Sequence, residues 1–436
     1  MNNSVRLDRR GLLRWGALGG SAVAASGLLS ACGFVNGGGD DAGGEGTLSL
    51  GLSTEQRAPL EPIMAAYTKE TGVKLEPLYL ATDQLASQMR TRLTSNTAPD
   101  LFKTSPGSGD PTALKLLAPE GFVADLSAAS WAARVPAAFR PLCQVDGKTY
   151  AITTNRALIG TFYHRKSLTD LGLQPPATWT ELLDVCAKLK KAGRTPMAIG
   201  MADPTSIQFL TYALAASTVY AADPDFDAKL ASGATSFAAS SGWNDAFGKV
   251  IELNRRGYFG KEPLRVSLDQ AMKQVAAGQA AMITLVTSTF SLMAGYASGG
   301  AGDFGSFLTP GLDDKAKLKI PASPSHLFAV NAKSDRVDEA RQFLDYLARP
   351  ANIAAFCSVA KGVPGLDGVP TDQVSPTITP LLPYLKDGLN VPFANQLWPN
   401  AAVQQALLTV GQQLFSGSAT VAGALEKMDE AYRKKA

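Results

Sequence analysis

Reactive and metal-binding side chains are scarce in this 436-residue chain, which has two histidines, His164 and His326, and four cysteines, Cys32, Cys143, Cys186 and Cys357. With no paired cysteines and two scattered histidines, a zinc site is excluded. No Gly-x-Ser-x-Gly elbow, metal cluster or phosphate loop appears, so no catalytic residue and no cofactor site is assigned. An excess of one charge is missing too, because 41 Lys and Arg stand against 38 Asp and Glu. That excludes a nucleic-acid binder, which needs a basic surplus or patch to neutralise phosphates. No repeat of fixed period is visible, which excludes a solenoid. A long apolar run is also absent near the start: the uncharged stretch Trp15 to Ala31 is 17 residues, short of the roughly 20 that a spanning helix needs.

That stretch has a different use. Arg6, Arg9, Arg10 and Arg14 precede it, and its own residues are mostly Gly, Ala, Ser and Leu. A basic head, a modest apolar middle and small residues at the end are the parts of an export signal. Asp8-Arg9-Arg10-Gly11-Leu12-Leu13-Arg14 resembles the twin-arginine signal of bacterial export. Leu29-Ser30-Ala31-Cys32 is similar to a lipobox, after which the cysteine carries lipid. A signal-anchor helix with an incidental cysteine is the alternative. Against it stands the Gly- and Asp-rich stretch to Gly46, which suits a flexible tether. Residues 1–31 therefore read as a signal peptide and 32–46 as lipid site and tether. Removing the signal takes four Arg and one Asp from the totals and leaves 37 against 37, a formally neutral mature chain. Cys143, Cys186 and Cys357 read as small buried residues, with a single disulfide of unassigned partners as the alternative.

From Thr47 onward 390 residues remain, which suits two domains rather than one core. Thr47 to Leu52 alternates as a strand does; an apolar-periodic stretch with Leu60, Ile63, Met64 and Tyr67 follows and closes near Gly72. A second strand at Val73 to Leu80, a helix from about Asp83 to Ser95 and a strand at Asp100 to Phe102 continue the alternation. This is the grammar of a parallel sheet covered by helices, which binds ligands at the carboxyl ends of its strands. Thr178-Trp179-Thr180-Glu181 is a capping box, and the helix behind it places Leu182, Val185, Cys186 and Leu189 at core spacing. Further helices are expected at Val337 to Ala348 and Val403 to Phe415.

Several motifs in order carry a family resemblance. They are Ala98-Pro99-Asp100-Leu101-Phe102, Asp146-Gly147-Lys148-Thr149-Tyr150-Ala151-Ile152, Tyr163-His164-Arg165-Lys166, Pro176-Ala177-Thr178-Trp179-Thr180-Glu181-Leu182, Gly278-Gln279-Ala280-Ala281-Met282, Ala329-Val330-Asn331-Ala332-Lys333 and Gly362-Val363-Pro364. In these the chain resembles the extracellular solute-binding lipoproteins of bacterial ABC importers, carbohydrate-type group, the family of maltose-binding protein. Thr153 stands where the family has Pro, His164 where it has Asn, and Thr287-Ser288 where many sugar binders place an aromatic.

The resemblance implies an α/β periplasmic-binding-protein fold: two lobes, each a mainly parallel sheet flanked by helices, with hinge crossovers near Thr153 to Arg156, Val286 to Ser288 and Ala329 to Asn331. Lobe one is expected at 47–154 with 287–329, lobe two at 155–286 with 330–436. It further implies no enzyme but a monomeric receptor, lipid-anchored through Cys32 at the outer face of the cytoplasmic membrane, with a carbohydrate ligand and permease subunits as partners. Strand ends then nominate Ser53, Glu55, Gln56, Lys103, Thr104 and Ser105 from lobe one and Asn155, Arg156, Thr287 and Ser288 from the hinges. Asp203 and Trp398 match segments where the family has a sugar-contacting carboxylate and a stacking tryptophan; helix capping and packing are their alternatives. A sugar needs carboxylates and amides for its hydroxyls and an aromatic face for its C–H side. A glycerophosphodiester or a polyamine is the alternative solute, and a secreted glycosidase using Glu55 and Asp203 is the rival class.

Overall fold

The computed structural model describes residues 46–434 except 109–110, 203 and 386–387. Cys32 and Asp203 lie outside the described residues. The alternating, β-branched stretches become strands: β1 (Thr47–Ser53), β2 (Lys74–Leu80), β3 (Leu101–Thr104), the short β4 (Gln144–Val145) and β5 (Lys148–Thr149), the long β6 (Ile152–His164), β7 (Thr195–Ala198), β8 (Ala280–Val286), β9 (Phe304–Phe307), β10 (Ile320–Val330), β11 (Val363–Pro364) and β12 (Asn390–Val391).

One sheet path runs β2-β1-β3-β10-β6-β8-β7. β1 is parallel to β2 and β3, and β7 to β8, as connecting helices allow. Along this path the two central strands run antiparallel to their neighbours: β10 pairs with β3 at Val330–Leu101 and with β6 at Ala322–Leu158, and β6 pairs with β8 at Ile159–Val286. β6 and β10 are thus the continuous strands that carry the chain between the two halves. The register of β10 on β6 shifts between Pro324 and Leu327, where proline removes a ladder donor.

Period-two alternation along β6 splits the apolar residues into two clusters. Leu158 and Phe162 belong to the first, with β1 to β3 and the helices Arg57–Thr71, Val337–Leu347 and Pro350–Ala360. Ala157 and Ile159 belong to the second, under the helices Trp179–Lys191, Thr205–Thr218, Ser241–Arg255, Ala401–Ser416 and Val421–Arg433. Residues 337–360 pack on the half built around β1 to β3, where Tyr67 meets Phe343 and Tyr346 edge-on, both at 5.1 Å between ring centres. The reason is topological: β10 ends beside β3, so the chain leaves the sheet on that side. Cys143, Cys186 and Cys357 are buried free thiols, and burial pushes each up to about 12.

Candidate functional site

A cavity of about 310 Å³ opens where the two halves meet, at the carboxyl end of β8. Val286 and Ser288 form its floor with Ala157 and Ile159 of β6. Pro324 and Ser325 come from the irregular stretch of β10, and Pro106 reaches in from the loop after β3. The remaining wall is supplied by Gln208, Phe209 and Tyr212 of the helix Thr205–Thr218, by Phe393, Asn395 and Gln396, and by Gln404 of the helix Ala401–Ser416. Among the described residues no charged side chain lines it.

Its polar groups are organised. Asn395 Nδ2 donates to Gln404 Oε1 at 3.3 Å, and Gln404 Nε2 donates to Gln208 Oε1 at 2.7 Å. This amide chain ends in a carbonyl acceptor on Asn395 and an N–H donor on Gln208. The Tyr212 hydroxyl and Gln396 Oε1 are buried without a hydrogen-bond partner. Burial holds the Tyr212 hydroxyl protonated, its pKa far above the ordinary value. Donors and acceptors beside apolar rings in an uncharged hollow suit a neutral polyhydroxyl molecule: amides meet hydroxyls that both give and accept, and rings meet C–H faces.

Of the nominated residues, Ser288 lines this cavity, and Thr287 braces it by accepting from Leu158 N at 3.1 Å. A second group forms at the carboxyl ends of β1 and β3. There Lys103 Nζ lies 3.5 Å from Glu55 Oε1, and His326 Nδ1 donates to Asn155 Oδ1 at 2.7 Å while its Nε2 lies 4.0 Å from Glu55. Burial and the Lys103 ammonium push His326 down to about 4 against the pull of Glu55, so it is neutral at pH 7.

Other nominees are consumed by local structure. Gln56 Oε1 accepts from the Ser53 N–H and hydroxyl at 2.9 and 3.0 Å, closing the turn after β1. The Thr104 hydroxyl donates to the Thr112 carbonyl, and Ser105 bridges to Ala113. Arg156 lies on the other face of β6, in a separate hollow of about 170 Å³, where its guanidinium holds the Pro364 carbonyl and Asp367. Trp398 is packed among aromatic rings: it is 1% exposed, and its ring meets Phe237 and Tyr212 edge-on at 5.6 and 6.0 Å.

Sequence reasoning passed over Gln208, Gln404, Asn395 and the two phenylalanines. One signal was present, since Gln208 is the only carboxamide in the apolar helix TSIQFLTYALAAST. A lone amide kept among buried neighbours has a polar partner to meet.

Residues 51–354 match the profile of a family described as bacterial extracellular solute-binding protein. The melibiose/raffinose/stachyose-binding protein MelE of Bacillus subtilis is 23% identical over 402 residues, 89% of each chain. The osmoprotective compounds-binding protein GgtB of Synechocystis is 25% identical over 177 residues, 40% of this chain and 41% of its own length. The solved apo form of RafE from Streptococcus pneumoniae superposes with a TM-score of 0.75 at 18% identity, covering 89% of this chain and 98% of that one.

Proposed function

Because the chain belongs to the bacterial extracellular solute-binding protein family, we propose that it is the receptor of an ABC importer. It takes a neutral sugar or oligosaccharide into the cavity between its halves and presents it to the membrane permease. The observation that carries this reading is the uncharged wall of the cavity with its Asn395-Gln404-Gln208 amide chain. A phosphodiester would need a cation there and a polyamine would need carboxylates; neither lines it among the described residues. Enclosure strips water from the hydroxyls and couples the solute's presence to a shape the permease can read.

The named solutes of MelE support an α-galactoside of two to four sugar units. Melibiose, raffinose and stachyose are therefore the first probes, with spermidine and glycerophosphocholine as the counter-set. Saturating raffinose is expected to raise Tm, by mass action worth about 2.7 kcal/mol at one hundred times Kd. A rise with a counter-set compound and with no saccharide would refute the sugar assignment. The solute is expected back unchanged, since the family is one of binding proteins.

The same reading extends to attachment. Among the described residues no helix is long and apolar enough to cross a membrane, and Cys32 in Leu29-Ser30-Ala31-Cys32 supplies a lipid site ahead of the tether. Acyl chains there would keep a monomeric receptor beside its permease. Cys32→Ser is expected to move the protein from the membrane fraction without changing its affinity for raffinose; retention at the wild-type level would refute lipidation.

A further inference from the structure

The mouth of the cavity carries a contact that solute binding leaves unexplained. Pro106 reaches it from the loop after β3 and Gln396 from the loop before the helix Ala401–Ser416, and beside them the two loops touch. Gly107 has φ +77°, and a Cβ on it would stand 2.5 Å from the Gln396 carbonyl oxygen and 2.9 Å from its Cα. Glycine is thus required twice, once by the left-handed backbone and once by the space. Next to it the Ser108 hydroxyl donates to the Trp398 carbonyl.

Each loop is anchored at its base. At the first, the Leu114 N–H donates to the Ser105 carbonyl at 3.2 Å, and Leu114 and Leu117, in the short helix that follows, sit in the first apolar cluster. The second is rooted through Ala394 and Trp398 in the other cluster. The contact therefore joins the halves, and it is made largely by main chain, so the solute's identity does not enter it.

We propose that Pro106–Ser108 is a latch between the halves of the cleft and that Gly107 is a positioning residue that sets how long a solute is held without touching it. The proposal deepens the binding function above and rests on that reading. A latch stabilises the shut form, so its loss falls on escape, while entry through the open form is little changed.

Stopped-flow binding of raffinose tests this on the wild type, Gly107→Val, Ser108→Ala and Ser108→Thr. Gly107→Val is expected to speed dissociation tenfold or more while association changes less than about threefold. Ser108→Ala removes one hydrogen bond and is expected to speed dissociation about three- to tenfold; Ser108→Thr keeps the hydroxyl and restores the slow rate. Wild-type dissociation in both Gly107→Val and Ser108→Ala, or a loss confined to association, would overturn the latch.

A second measurement needs no solute. Spin labels at Lys69→Cys, on the first half, and Lys188→Cys, on the second, report the separation of the halves in the ligand-free protein. Gly107→Val is expected to shift that distance distribution to longer values, and an unshifted distribution would overturn the latch. If the wild type binds none of the three saccharides, the sugar assignment falls while the label distances still decide the latch.

Discussion

Two partly buried titratable groups, one in each half, give the protein opposing responses to pH. His326 is held down at about 4 by burial and Lys103, whereas an unfolded histidine titrates near 6.5. Between those values the unfolded chain binds the extra proton, so stability is full above pH 6.5 and is lost as pH falls toward 4. Asp227 goes the other way. Burial lifts its carboxyl from 3.8 to about 7, against the Tyr220 hydroxyl and the Lys115 ammonium. From pH 4 to 7 the folded state then keeps a proton that the unfolded chain releases, so this contribution falls as pH rises and is absent above 7. Thermal melts across pH separate the two. His326→Gln, which keeps a donor for Asn155, is expected to flatten the loss of Tm between pH 6.5 and 4. Asp227→Asn, which keeps an acceptor for Tyr220 at 3.4 Å, is expected to raise Tm at pH 8 and to leave it almost unchanged at pH 4. An equal gain at both pH values would place the effect of Asp227→Asn in packing.

The amide chain belongs to the scale of elements, since it ties the helix Ala401–Ser416 to the helix Thr205–Thr218 and to the loop between β12 and the former. Gln404→Leu keeps the volume and removes the middle link. Raffinose affinity is expected to fall at least tenfold in titration calorimetry while the ligand-free Tm moves little, because Gln404 is only half-buried. A large loss of Tm with unchanged affinity would make the chain a structural tie. The helices themselves were legible because their signals are local: the capping box at Thr178 starts a helix at Trp179, and the apolar period gave Thr82–Thr94 and Val337–Leu347 to within a residue. The cavity was not, because its walls come from β6, β8, β10, three helices and two loops far apart in the chain. No local period encodes such a meeting. Trp398 shows the same limit: its proline and polar neighbours suggest a loop over ligand, yet three aromatic rings from distant segments enclose it.

At the scale of the whole molecule, one sheet path joins the two halves. β6 contributes Leu158 and Phe162 to one apolar cluster and Ala157 and Ile159 to the other, and β10 pairs with both β3 and β6. Neither half can lose its strands without stripping a ladder of hydrogen bonds and one wall of core from the other. Lobes joined by flexible linkers would instead melt independently, each with its own enthalpy. Calorimetry is therefore expected to give one endotherm whose van't Hoff and calorimetric enthalpies agree. Saturating raffinose is expected to move that single endotherm upward as a unit, since the cavity draws its walls from both halves. Two resolved transitions, with the sugar shifting one and leaving the other in place, would mean that the binding surface resides in one half and that β6 and β10 act as linkers.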